Sequence, residues 1–234
     1  MHSNNPSSTT EAAIPRCRRC GTCCRKGGPA LHRQDLPLLV AGHIGHSHLL
    51  TVRRGEPVIP PFAEEPEPAG QELVKIAGST GWTCRFFREG LGCSLYRHRP
   101  VECRTLFCAD PAPLLALIGR ETLNRLDLIN PDDPVRAFIA RQETDLPLSA
   151  MMERVAALRR RQDAEQARTA LTAMINDDIR LREEWLRQGG QRCHELFLFG
   201  RPLFLVLTGM GMQVKEDRGV LSLSPAGSGN DRSR

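Results

Sequence analysis

Lysine is almost missing from this chain of 234 residues: it occurs at 26, 75 and 215, and arginine supplies the rest of the 32 basic side chains. The 27 acidic residues are interleaved with the arginines, so a net charge of +5 is too mild to require nucleic acid as a partner. Aromatic side chains are scarce at 5%, which leaves Leu, Ala, Val and Ile to build the core of a 40% hydrophobic sequence. No stretch approaches the roughly 18 consecutive apolar residues of a membrane-spanning helix, and residues 1–13 lack the apolar centre of a signal peptide. No glycine-rich phosphate loop follows a strand, and no Ser/His/Asp set is marked by a local motif. The expectation is a cytoplasmic, soluble protein with no membrane partner and an unknown protein partner left open.

What the chain does have is cysteine. Cys17, Cys20, Cys23 and Cys24 fall within eight residues, Cys84, Cys93, Cys103 and Cys108 form a second group, and Cys193 lies apart as a bystander thiol. In a reducing compartment such a count argues for metal ligation over a disulfide framework. The first three recur with two residues between them, the spacing at which a tight loop turns successive thiolates toward one centre. Cys24 breaks the repeat, and because adjacent side chains diverge, the octet suits a second or a multinuclear centre. All eight grouped cysteines are candidate metal ligands. They would serve two four-thiolate sites, or one cluster with three ligands from the first group and one from the second.

Zinc sites usually take two short CxxC knuckles, whereas the second group has eight, nine and four residues between its cysteines. The first group resembles the three closely spaced cysteines of bacterial ferredoxins, whose remaining ligand comes from a distance. The pattern favours an iron–sulfur cluster, with zinc as the alternative. Arg16, Arg18, Arg19, Arg25 and Lys26 surround the first group, and Arg85 and Arg104 adjoin the second. Such cations would stabilise thiolates, whose charge exceeds that of one divalent ion. His43, His46 and His48 alternate with Gly45 and Ser47 and read as a solvated turn, not a ligand set.

Taken in order, residues 1–15 read as a disordered tail and 16–110 as a cysteine-cluster metal-binding domain. Asp35 is placed to cap a short helix to about Ala41. Leu49 to Arg53 reads as a strand, and the proline-rich Glu56 to Gly70 as an extended surface loop. Trp82 to Phe87 and Cys93 to Tyr96, joined by a glycine-bearing link, predict a hairpin that brings Cys84 near Cys93. Arg99-Pro100 opens a helix carrying Cys103 and ending near Cys108. Residues 111–190 form a helical segment: helices start at Asp110-Pro111 and after Asn130 to Pro134, and Ser149 caps a long one to about Gln188 with a break at Arg159 to Asp163. Residues 191–225 predict a small strand unit, two strands turning at Gly200-Arg201-Pro202 within Glu195 to Val206, and 226–234 a flexible tail. The fold class is α+β, mostly helical and irregular.

Cys17, Cys20, Cys23, Cys24, Cys84, Cys93, Tyr96, Arg99-Pro100, Cys103-Arg104 and Cys108, in that order and spacing, resemble the YkgJ-type cysteine-cluster proteins with their CxxCxxCC signature. The resemblance covers about 16–110 and implies a zinc- or iron-chelating domain without a settled reaction. A flagellin lysine N-methylase has a similar cysteine pattern with an iron–sulfur cluster and uses S-adenosylmethionine; no nucleotide loop here supports carrying that activity over. The sequence thus points to a metal-binding protein, an electron-transfer or metal-carrier module, with a cluster-dependent enzyme modifying a protein side chain as the alternative.

Overall fold

The computed structural model describes residue 17 and residues 19–61, 63–79 and 81–224; the expected tails at 1–15 and 226–234 lie outside the described residues. The cysteine loop leads into a single helical turn, α1 (Thr22–Arg25), which buries none of its residues. After Pro29 the chain enters the core. The Leu31 amide donates to the Val74 carbonyl at 2.8 Å, and the Leu123 amide donates to the Leu31 carbonyl at 2.8 Å.

Helix α2 (Leu36–Val40) stands where it is expected, but the Asp35 side chain makes no capping bond to it. That carboxylate is fully buried and faces the other way, accepting the amides of His32 at 3.0 Å and Val101 at 2.8 Å. The reason is supply: two inward-facing amides have no other acceptor at hand, and a buried carboxylate needs donors.

Four strands follow: β1 (Leu49–Val52), β2 (Pro57–Val58), β3 (Glu67–Pro68) and β4 (Leu73–Ile76). β1 and β4 pair antiparallel from Leu49 opposite Ile76 to Val52 opposite Leu73. The proline-rich segment is therefore the long link of this hairpin, pinned midway by the β2–β3 pair. The cysteine hairpin comprises β5 (Phe87–Arg88) and β6 (Gly92–Cys93), shorter than the runs expected for it. Helix α3 (Val101–Thr105) begins after Pro100 and ends before Cys108; α4 (Ala112–Leu117) begins where the Asp110 carboxylate accepts the Ala112 amide at 3.1 Å.

The remaining chain is largely helical: α5 (Val135–Asp145), α6 (Leu148–Arg159) and α7 (Ala164–Arg187). Ser149 lies inside α6, whose cap position is Pro147, so the serine is not the cap. The break foreseen at Arg159 to Asp163 separates α6 from α7, with Arg161 and Asp163 at positive φ. α7 buries Ala167, Leu171, Met174, Ile175, Asp178, Leu181, Arg182 and Trp185, one continuous stripe at helical spacing.

The strands expected within Glu195 to Val206 are helices instead, α8 (Glu195–Phe199) and α9 (Leu203–Gly209). The turn at Gly200-Arg201-Pro202 is real, but it joins helices, with Gly200 at φ 69. Short apolar runs do not declare helix or strand by periodicity. Here the decision comes from α7: Asp178 accepts the Leu203 amide at 3.0 Å, and Arg182 donates to the carbonyls of Phe199 and Gly200 at 3.1 and 3.2 Å. Both open helix ends are satisfied from outside. Among the described residues, strand structure at this end is confined to the hairpin of β7 (Val214–Asp217) and β8 (Val220–Leu223).

Two cores result. One gathers Leu31, Val74, Cys84 and Leu123 with Trp185, Phe197 and Phe199, so the cysteine-bearing part and the late helices share a packed interior. The other lies among α6, α7, α9 and β8, around Met151, Leu171, Ile175 and Leu207. Among the described residues no helix is long and apolar enough to cross a membrane.

Candidate metal centre

The two cysteine groups meet through the backbone. The Cys84 amide donates to the Cys24 carbonyl at 2.7 Å, which lays the loop against the start of the hairpin. On β6, Cys93 sits opposite Phe87. Gly21, the residue before α1, has φ 78, and a Cβ there would fall on the Phe87 ring, so loop and hairpin touch at a point that admits no side chain. Helix α3, which carries Cys103, is tied to the segment after the loop. Besides Asp35 on Val101, Glu102 accepts the Ala30 amide at 2.9 Å and lies 3.1 Å from Nε2 of the buried His32.

The thiols feel one another. Cys23 is pulled down to about 6, first by a hydrogen bond from the Cys24 thiol and, against burial, by the charge of Arg99. Cys24 is correspondingly pushed up by that bond, by burial and by the charges of Cys23, Cys84 and Cys103. Burial raises Cys84, with Cys93 and Cys23 adding to it. Burial also raises Cys93, near Cys17 and Cys23, and Cys103, near Cys84, Cys23 and Cys93. Cys20 is exposed at the rim, its pKa lowered by the Thr22 hydroxyl 3.3 Å away. Cys108 is exposed on the turn beyond α3, and Cys193 is exposed next to Gln191. Every described cysteine is a free thiol.

The thiols that influence one another's charge, Cys17, Cys23, Cys24, Cys84, Cys93 and Cys103, are all sulfur donors, the chemistry a soft metal takes. Among the described residues, no group of three or more His, Cys, Asp or Glu side chains stands close enough together to hold an ion. Arg99, which is not among the expected cations, acts on Cys23 and Cys93; of the expected ones, Arg25 donates to the Cys20 carbonyl at 3.1 Å and Arg85 to the Ser47 carbonyl. Arg104 and Lys26 are exposed, and Arg16 and Arg18 lie outside the described residues.

The histidines differ from expectation. His46 and His48 are half-buried, not solvated, with His46 stacked on Phe197 at 4.4 Å and His43 on His98 at 3.6 Å. Sequence reasoning passed over Asp35, His32 and Glu102 as supports of the site. Glu102 carried a signal, an acid in the first turn after a proline; Asp35 and His32 carried none that reached across the chain.

Compared with known proteins, the chain matches none of the curated proteins and none of the solved structures. A family model does match, over residues 16–116: CxxCxxCC, described as a putative zinc- or iron-chelating domain. Its span takes in both cysteine groups, the hairpin and α3. The likeness to that family is confined to residues 16–116, under half of the 234-residue chain.

Proposed function

We propose that the chain holds an iron–sulfur cluster through thiolates drawn from both cysteine groups and acts as an electron-transfer or metal-carrier module, with zinc as the competing occupant. The observation that carries the reading is the mutual influence of Cys23, Cys24, Cys84, Cys93 and Cys103, which come from distant parts of the sequence. Cys17 borders that set, Cys20 closes its rim, and Cys108 is the outermost candidate. Bound iron and sulfide would supply one-electron chemistry. The chain's own part is to gather the thiols, to hold α3 through Asp35 and Glu102, and to bring the charge of Arg99 to Cys23. Half-buried thiols favour a soft metal over the protons they otherwise keep.

The test is purification without oxygen, followed by iron, sulfide and zinc analysis and an absorption spectrum. Iron and acid-labile sulfide in equal amounts, with broad absorbance at about 400 nm, are expected. A colourless preparation with stoichiometric zinc would assign the site to zinc.

A further inference from the structure

Beside the cysteine loop lies a cleft lined by cations and by no acid. Arg19, Ser94, Tyr96, Arg97 and His98 wall a cavity of ≈ 590 Å³, within the roughly 300–1,000 Å³ of small-molecule sites. Arg19 and Arg99 each hold the guanidinium carbon 3.9 Å from the centre of the Tyr96 ring. Two guanidiniums at that height cannot share one face, so the ring is sandwiched between like charges. Among the described residues, Arg19, Arg97 and Arg99 have no Asp or Glu within ion-pair distance. The neighbouring Arg25, in contrast, is neutralised by Glu89 at 2.5 Å.

These arginines divide by what they face. Arg99 directs its charge at Cys23 and Cys93 and donates to the Tyr96 carbonyl at 3.0 Å. Arg19 and Arg97 face the cleft, with His98 beside them, backed by His43. Arg19 is held at φ 55, a left-handed backbone that a non-glycine residue adopts at a cost. Cations assembled around one ring without counter-charge are stabilised by an anion, and guanidinium forks match the oxygens of phosphate and carboxylate.

We propose that this cleft binds a small molecule bearing phosphate or carboxylate groups, gripped by Arg19 and Arg97. A lone phosphate would fill little of the cavity, so the ligand is larger and multiply charged. The binding is independent of which metal the thiolates hold.

The test is calorimetric titration of full-length, metal-loaded protein with fructose 1,6-bisphosphate and, separately, with tricarballylate, which separates phosphate from carboxylate recognition. Metal content is measured in every sample. Saturable binding of at least one probe is expected, weakened about tenfold or more in the double variant Arg19→Gln/Arg97→Gln. It should be unchanged in Arg88→Gln/Arg218→Gln, which removes the same charge from exposed positions outside the cleft. Binding of neither probe overturns the proposal, as does equal weakening by the control pair. So does loss of metal together with anion binding in Arg19→Gln/Arg97→Gln, since the two arginines would then serve the thiolates.

Discussion

The Asp35 carboxylate accepts the Val101 amide at 2.8 Å across 66 positions of sequence, and so fixes the first turn of the helix that carries Cys103. Its other oxygen takes the His32 amide at 3.0 Å, and the side chain is wholly buried. Asp35→Ala leaves two buried donors unpaired, each at a cost of about 1–3 kcal/mol. Asp35→Asn keeps one acceptor and should lose about half as much. Urea denaturation reads the order wild type, Asn, Ala, and metal content is expected to fall in the same order.

Among the cysteines, Cys103→Ser and Cys23→Ser should lose most of the bound metal, because a hydroxyl is a poor ligand for a soft centre and each of these thiols is influenced by several of the others. Cys193→Ser should retain all of it, as its thiol is exposed and its side chain contacts Gln191. Metal analysis of the purified variants decides; full occupancy in Cys103→Ser would separate the two groups into independent sites.

Metal-free and metal-loaded protein should respond to pH with opposite signs. Cys24, Cys84, Cys93 and Cys103 hold their protons above the ordinary thiol value of 9.0 in the fold. Their contribution to stability is complete below that value and is lost as pH rises toward the raised folded values, since the unfolded chain ionises first. Cys20 and Cys23, lowered in the fold, contribute above it and lose that contribution as pH falls. With the raised thiols in the majority, the metal-free protein should weaken above about pH 9. The loaded protein should instead weaken on acidification, as protons displace the metal. Denaturation midpoints of both forms at about pH 7 and about pH 10 read the difference.

Glu143 receives two buried guanidiniums. Arg53 donates to both of its oxygens, at 2.8 and 2.9 Å, and Arg125 donates to one. Burial alone would raise the Glu143 carboxyl, but the Arg53 hydrogen bonds and the charges of both arginines outweigh it and hold it below 4.5. That stability is present above the ordinary value and disappears as pH falls through the lowered one. Glu143→Gln takes the carboxylate from Arg53 and leaves Arg125 with Glu72 at 3.1 Å; because the Glu143 side chain is 45% exposed and solvent screens it, the loss is about 1–3 kcal/mol. Thermal denaturation at neutral pH should show it, and the difference from wild type should shrink in acid.

How much of this was legible depended on the range of the deciding contact. The hairpin carrying Cys93, the proline start of α3 and the break before α7 follow from neighbours in sequence and appear, though Cys84 stands just before the hairpin instead of within it. The α8 and α9 helices follow from Asp178 and Arg182, residues on another helix, and apolar runs around Phe197 and Phe204 gave no local hint of them. Asp35 is expected to cap α2 and does not. Its partners are instead His32 and a helix start far along the chain, and no local pattern names those. Helix α3 ends at Thr105, short of the expected length, so Cys108 lies on the exposed turn beyond it.

Gly21 contributes no atom to the chemistry, yet it is the notch into which the Phe87 ring fits. Phe87 stands opposite Cys93 across the β5–β6 pair. Bulk added at position 21 therefore cannot be absorbed within its own loop; it levers the aromatic ring, and with the ring the strand that positions a thiol from the other group. The two cysteine groups are keyed together mechanically as well as electrically, so a single methyl at Gly21 would shift a candidate ligand, Cys93, more than 70 positions away.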